Sequence, residues 1–482
     1  MISELSNKIE QNRFLMTLRR FFMSKAGVAV QLLLAILIVV IRGKGRIFGE
    51  YYGNTPIVYG ILIFAVIEAV ILCVCDNIIA TTPAFLFISV ISIKCYNSFD
   101  VFIEYWWLAF PLVFSLLFHF IVYKKELHYE KGRLFLPYLL VSIAVTLGGL
   151  GKISFKEFFQ GTFLFYTVGL GFGMMLLYIL LSSCIHTSRD YSLRMRISYT
   201  MMAVGILCTF MVFHHYLLYI DTVTEEFRIL YMQWRNNVST FLMLAMPFAF
   251  YISTRDKKHK YFYLGLAEYA AILLSGSRGG AMFGTIEIAL CLIVLVYTDK
   301  RNRNHNLTVI AIAAIIGCTF ARTILNFFMP TINRFLEGDS IREDNIRRAL
   351  ADFKSNPIFG RGFGRTEIEQ VGYIKKKMAV NWYHSSPFQI IGSFGILGIG
   401  AFVYQFYARF KLLFEKTTHF NLTVFISFLG LTMMSTVNPG EFCPIPYGFI
   451  ITLFFVICEK CNAATKRFNG DETEENLINI QF

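Results

Sequence analysis

Leu273-Leu274-Ser275-Gly276-Ser277-Arg278-Gly279-Gly280 lies where one apolar run, 260–275, ends and the next, 279–297, begins. Each run is long and apolar enough to form a helix that lacks a broad polar face. Between them stand one guanidinium, three glycines and two serines. Runs of that kind joined by so short a break cross a bilayer and return, so the octapeptide is the turn between two spans.

The whole chain repeats this pattern. Of its 482 residues 56% are hydrophobic and 16% charged, where a soluble domain is about a quarter charged. Apolar runs recur near 27–41, 56–75, 79–93, 104–123, 133–150, 158–183, 197–219, 238–254, 260–275, 279–297, 307–327, 386–408, 419–437 and 443–459. That makes roughly 14 spans of near-bilayer length, an all-α polytopic membrane protein with little soluble mass. The ten cysteines lie mostly inside these runs, where cysteine acts as a small hydrophobe. Cys458-Glu459-Lys460-Cys461 ends a span and reads as packing, not as a redox or metal pair.

Before the first run, Phe14, Leu15, Leu18, Phe21 and Phe22 share one helical face, with Arg13, Arg19, Arg20 and Lys25 around it. Such a helix lies in the interface. With the N-terminus inside, Lys and Arg total 25 on inner segments and 9 on outer ones, the long segment 322–385 set aside. Long segments fall outside the charge rule. Both termini are therefore expected in the cytoplasm. The expected division is 1–26 interfacial, 27–327 membrane, 328–385 a long outer loop containing short helices, 386–459 membrane, and 460–482 a polar cytoplasmic tail. The net charge of +13 fits basic inner loops and could also help bind an anionic lipid.

Several residues on the outer side could carry chemistry. Arg278 is either a snorkelling arginine at a tight turn or a ligand contact, with Gly276, Gly279 and Gly280 letting backbone or ligand approach closely. Ser340-Ile341-Arg342-Glu343 has the form of a capping box, which predicts a helix starting at Ser340. At about 100° per residue, Ile346, Ala349, Leu350 and Phe353 share the face of Arg342, and Arg347 and Arg348 do not. An arginine on a buried face needs an anion, either a structural carboxylate or a phosphate. In the first helical turn the free N–H groups favour an anion as well. His384, in Asn381-Trp382-Tyr383-His384-Ser385-Ser386, is either structural or a general base. Arg235 stands just before another span. Glu68, Glu268 and Glu287 lie within apolar runs, where carboxylates are functional suspects. No metal-ligand or Walker-type spacing stands out on the outer face.

Three of these pieces together resemble the O-antigen ligase and O-antigen polymerase superfamily of bacterial membrane glycosyltransferases. Ser275 to Gly280 resembles its SRG element. Arg342 through Leu350 to Pro357-Ile358-Phe359-Gly360-Arg361-Gly362 resembles its R…W…L…PxxGxG stretch. His384 through Gln389 to Gly395-Ile396-Leu397-Gly398 resembles its HN…Q…GILG stretch, and Asn236 to Pro247 weakly echoes an N…P element. The resemblance covers about residues 230–400. Ile346 stands where tryptophan is common and Ser385 where asparagine is common, and neither change removes a charge.

The resemblance implies a GT-C-type fold in the bacterial inner membrane with its site on the outer side. It implies an inverting, metal-independent transfer, without a cofactor, from an undecaprenyl-pyrophosphate-linked glycan to an acceptor hydroxyl. Arg278, Arg342 and, more loosely, Arg235 would clamp the pyrophosphate, and His384 would orient or deprotonate the acceptor. Gly276, Ser277, Gly279, Gly280 and Tyr383 would support them. A polymerase of cell-surface polysaccharide is expected from the span count and long loop. The alternatives are a ligase acting on lipid A core, a protein O-oligosaccharyltransferase, or a lipid-linked-sugar flippase. Membrane lipids, a chain-length regulator and a flippase are the implied partners, and nucleic acid is not.

Overall fold

The computed structural model describes residues 11–47, 55–92, 105–123, 131–152, 161–187, 192–223, 234–319, 340–368, 376–380 and 382–463, with a few isolated positions between. Of the expected loop, residues 328, 330–339, 369–375 and 381, and the tail beyond 463, lie outside the described residues.

The chain is a multi-pass helical membrane protein. In order come α1 (Arg13–Met23), α2 (Lys25–Ile47), α3 (Thr55–Val74), α4 (Thr82–Ser92), α5 (Ala109–Val122), α6 (Phe135–Thr146), α7 (Gly161–Val168) and α8 (Met174–Cys184). Then follow α9 (Leu193–Val223), α10 (Arg235–Asp256), α11 (His259–Leu274), α12 (Arg278–Thr298), α13 (Arg303–Thr319) and α14 (Ser340–Ser355). The last three are α15 (Ser386–Glu415), α16 (His419–Ser435) and α17 (Pro446–Ala463). One turn of π-helix joins α7 to α8. The segment 328–385 was expected to be an outer loop holding short helices. Besides the 16-residue α14 it holds an antiparallel ribbon, β1 (Gly364–Ile368) against β2 (Lys376–Val380), with Gly364 opposite Val380.

Eight helices among the described residues are long and apolar enough to cross a membrane, and four further apolar helices are shorter. By length and composition the count therefore stops short of 14. The difference arises where an apolar run gives a helix shorter than 18 residues, as at His259–Leu274, Arg303–Thr319 and His419–Ser435, or a helix that covers only part of the run. The run at 79–93 becomes a 3₁₀ turn followed by the 11-residue α4. The run at 133–150 gives only the 12-residue α6, because Gly149 and Gly151 turn the chain with φ of 82° and 84°.

The middle of the bundle is α10, buried continuously from Val238 to Ser253. It packs on α9, α11, α12 and α16. A helix apolar on every side has no solvent face and belongs inside. Polar contacts gather the loops at two ends. At one end Arg19 pairs with Asp76, the Arg196 guanidinium donates to the Ser24 carbonyl at 3.1 Å, and Lys25 lies 3.4 Å from Asp256. At the other end Asn356 donates to the Leu150 carbonyl and Tyr216 to the Leu274 carbonyl.

Candidate active site

The opening octapeptide is a helix–turn–helix corner. α11 ends at Leu274, and Gly276 takes φ 71°, a left-handed conformation that costs a glycine little. Ser277 then caps α12, its Oγ accepting from the Gly280 N–H at 3.0 Å. Arg278 is thus the first residue of α12, and it is half-buried. Gly280 lets α12 close on α10, since a Cβ there would lie 2.6 Å from that of Ser239. A Cβ on Gly279 would sit 3.1 Å from the Met434 sulfur.

Ser277 also reaches across to α10. Its hydroxyl donates to Asn236 Oδ1 at 2.8 Å, and Asn236 Nδ2 donates to Asn438 Oδ1 at 3.2 Å. Arg235, beside Asn236, is the first residue of α10. The next residue along, Pro439, accepts through its carbonyl from Ser386 Oγ at 2.7 Å, and Ser386 opens α15 two residues after His384. A chain of side-chain bonds therefore joins the N-termini of α10, α12 and α15.

His384 is exposed and has φ 54°, one of two non-glycine residues with positive φ among those described. A left-handed histidine is strained and persists only where its surroundings hold it. Tyr383 does the holding. It is 2% exposed, its N–H donates to Gln389 Oε1 at 3.0 Å, and its hydroxyl donates to Asp352 Oδ2 at 2.6 Å. Gln389 is fixed in turn by donating to Ser393 Oγ. Tyr383 thus ties the turn that carries His384 to α14 and α15.

α14 begins at Ser340, as the capping-box pattern predicts. Arg342, Asn345, Ala349 and Asp352 form one seam, with Asn345 and Ala349 buried and Arg342 and Asp352 half-buried. Leu350, expected on this face, is 41% exposed. It lies at the edge of the arc, and the seam drifts the other way, toward Asn345. Asp352 takes a second bond, 3.0 Å from Arg361, so the helix is tied to both the His384 turn and the glycine-rich loop. Neither Asp352 nor Arg361 stood out in the sequence as more than spacing within a motif.

That loop repairs a break in α15. Gly395 has φ 60° and ψ −153°, which interrupts the helical ladder. The orphaned groups bond to the loop: Arg361 and Gly362 N–H donate to the Gly392 and Ser393 carbonyls at 2.8 and 2.7 Å, and Ile396 N–H donates to the Pro357 carbonyl at 2.8 Å. Buried backbone groups need such partners. The PxxGxG and GILG pieces are therefore two halves of one structure.

A cavity of about 390 Å³ starts at Ser386 and runs along α15 past Ile390, Ile399 and Phe402 to Arg409 and Glu441. Elsewhere, Glu268 and Glu287 are fully buried, and their carboxyl oxygens have no hydrogen-bond partner among the described residues. Cys458 and Cys461 are buried at the end of α17. No cluster of three His, Cys, Asp or Glu side chains suited to a metal occurs among the described residues.

A helical membrane bundle with arginines and a histidine at helix N-termini is the class that fold and site define. Residues 262–403 match the family model described as O-antigen ligase, which supports the O-antigen ligase and polymerase superfamily. The match spans Arg278, Arg342 and His384; Arg235 lies before it, and Arg409 and Glu441 beyond it. No curated protein and no solved structure matches the chain.

Proposed function

We propose that this protein transfers a glycan from undecaprenyl pyrophosphate to an acceptor hydroxyl on the outer face of the bacterial inner membrane, within a GT-C-type bundle. One observation carries the reading. Arg235, Arg278 and Arg342 each occupy the first turn of a helix, His384 lies one residue before the cap of another, and Asn236, Asn438 and Pro439 tie three of those helix starts together. Helix N-termini and guanidiniums both favour an anion, and a pyrophosphate is a doubly suited one.

In the proposed step the acceptor oxygen attacks the anomeric carbon from the face opposite the pyrophosphate. The bond from that carbon to the phosphate oxygen breaks, and undecaprenyl pyrophosphate leaves with the electron pair. His384 takes the acceptor proton. Arg278 and Arg342, aided by Arg235, offset the charge gathering on the leaving group. The long outer loop, 328–385, supplies Arg342 and His384, so it is the catalytic loop of this scheme.

The acceptor is the second question. The family description favours a ligase, which hands the glycan to a lipid acceptor. A polymerase, which adds it to another lipid-linked repeat, uses the same donor and the same charge clamp. The test is purified protein in detergent with a lipid-linked oligosaccharide and each acceptor in turn. A ladder of lengths without added lipid acceptor marks a polymerase, and a product formed only on the lipid acceptor marks a ligase. Movement of the donor across vesicles with no new glycosidic bond would refute both and favour a flippase.

A further inference from the structure

A short segment beyond the matched region, 438–442, touches the start of α10, the start of α15 and the glycine-rich loop. Asn438 accepts from Asn236, and Pro439 accepts from Ser386. Phe442 packs on Phe363 of the glycine-rich loop and on Phe394 at the break in α15, with ring centroids 5.9 and 6.0 Å apart. Glu441 points the other way, into the bundle, where its carboxylate accepts from Arg409 Nη1 at 2.7 Å. Arg409 is only 4% exposed and is walled by the rings of Tyr138, Phe428 and Phe455, with Tyr138 Oη accepting at 3.3 Å.

We infer that Arg409 and Glu441 are positioning residues: this ion pair, with Arg409 buried and Glu441 half-buried, anchors the 438–442 segment and so sets the His384 turn against the arginine-bearing helices. A pair with one partner buried is a weak source of stability, because desolvation of the Arg409 charge cancels much of the attraction. It is strong as a fixed point, because a lone buried charge is costly and neither partner can drift from the other. Three rings flank Arg409 and restrict its movement. Ser277 and Asn236 bond to each other directly, so the arginine-bearing starts of α10 and α12 stay together without the anchor. The His384 turn reaches them through Pro439, and it is the part that the anchor governs.

The inference rests on the transfer reading, and the test separates the two. The double substitution R409M/E441L replaces both charges with apolar groups of similar size, a change that bundles often tolerate without loss of stability. The expected result is an unchanged or higher thermal midpoint, near-normal KM for the donor, and a kcat lower by about 100-fold, the scale of a misplacement near 1 Å. Arg409→Lys keeps the ion pair and should recover part of the turnover. A second readout needs no activity: the rate at which diethylpyrocarbonate modifies His384, followed by mass spectrometry of its peptide, should differ between wild type and the double variant. Wild-type kcat together with a wild-type modification rate in R409M/E441L would overturn the inference. If the wild-type protein forms no glycosidic bond, the transfer reading fails, and the modification rate alone still decides the positioning role.

Discussion

His384 is an L-residue in the left-handed region at the edge of the site. That conformation costs a side chain about 1–2 kcal/mol and a glycine almost nothing. His384→Gly should therefore unfold at a higher temperature than His384→Ala, by the equivalent of about 1 kcal/mol, while both lose turnover. A glycine variant less stable than the alanine one would mean that the turn is not held in that conformation. Arg342 makes a related case. If it grips a pyrophosphate with its planar fork, Arg342→Lys should recover only part of donor affinity, because an ammonium cannot bond two oxygens in that geometry. Full recovery in a donor-binding titration would reduce Arg342 to a point charge.

Among elements, the corner between α11 and α12 depends on one hydroxyl. Ser277→Ala removes both the cap on α12 and the bond to Asn236. It should lower stability by about 1–2 kcal/mol in thermal unfolding. The opposite end of the bundle carries a pH-dependent tie. Burial alone would raise the Asp76 carboxyl, but the hydrogen bond from His186 and the charge of Arg19 outweigh it and hold the group below its usual range. The stabilisation is therefore complete above the unfolded carboxyl value of about 3.9 and fades as pH falls through the lower folded value. Asp76→Asn should be less stable than wild type at neutral pH, and the gap should close in acid. A gap that stays constant with pH would refute the tie.

The helices were legible because apolar runs and their breaks are local features. Ser340 announced α14 by its capping box, and Gly276 with Ser277 announced the corner. Leu350 was misplaced because a helical wheel gives a face but not the few tens of degrees by which a partner selects within it. The break at Gly395 was visible only as a glycine in an apolar run, since the groups that repair it lie more than 30 residues earlier, at Pro357, Arg361 and Gly362. Asn438 and Arg409 could not be read as part of a site, because each matters only through a residue distant in sequence.

For the molecule as a whole, the first requirement is sidedness. In a cysteine-depleted variant, Lys376→Cys should react with an impermeant thiol reagent on intact cells and Lys258→Cys should not. The reverse pattern would invert the topology and put the site in the cytoplasm. Transfer should also survive EDTA, since guanidiniums and helix N-termini supply the proposed charge clamp. Activity lost in chelator and restored by Mg²⁺ or Mn²⁺ would give that task to a metal. The most direct test measures donor binding and single-turnover transfer side by side for the wild type and for Arg278→Ala, Arg342→Ala and His384→Ala. The two arginine variants should each lose about 10- to 100-fold in donor affinity, the loss expected for one charge-assisted contact. His384→Ala should bind donor normally and lose about two to four decades of turnover. Arginine variants that bind donor as tightly as wild type, or a His384→Ala variant with full turnover, would contradict the assignment of this site.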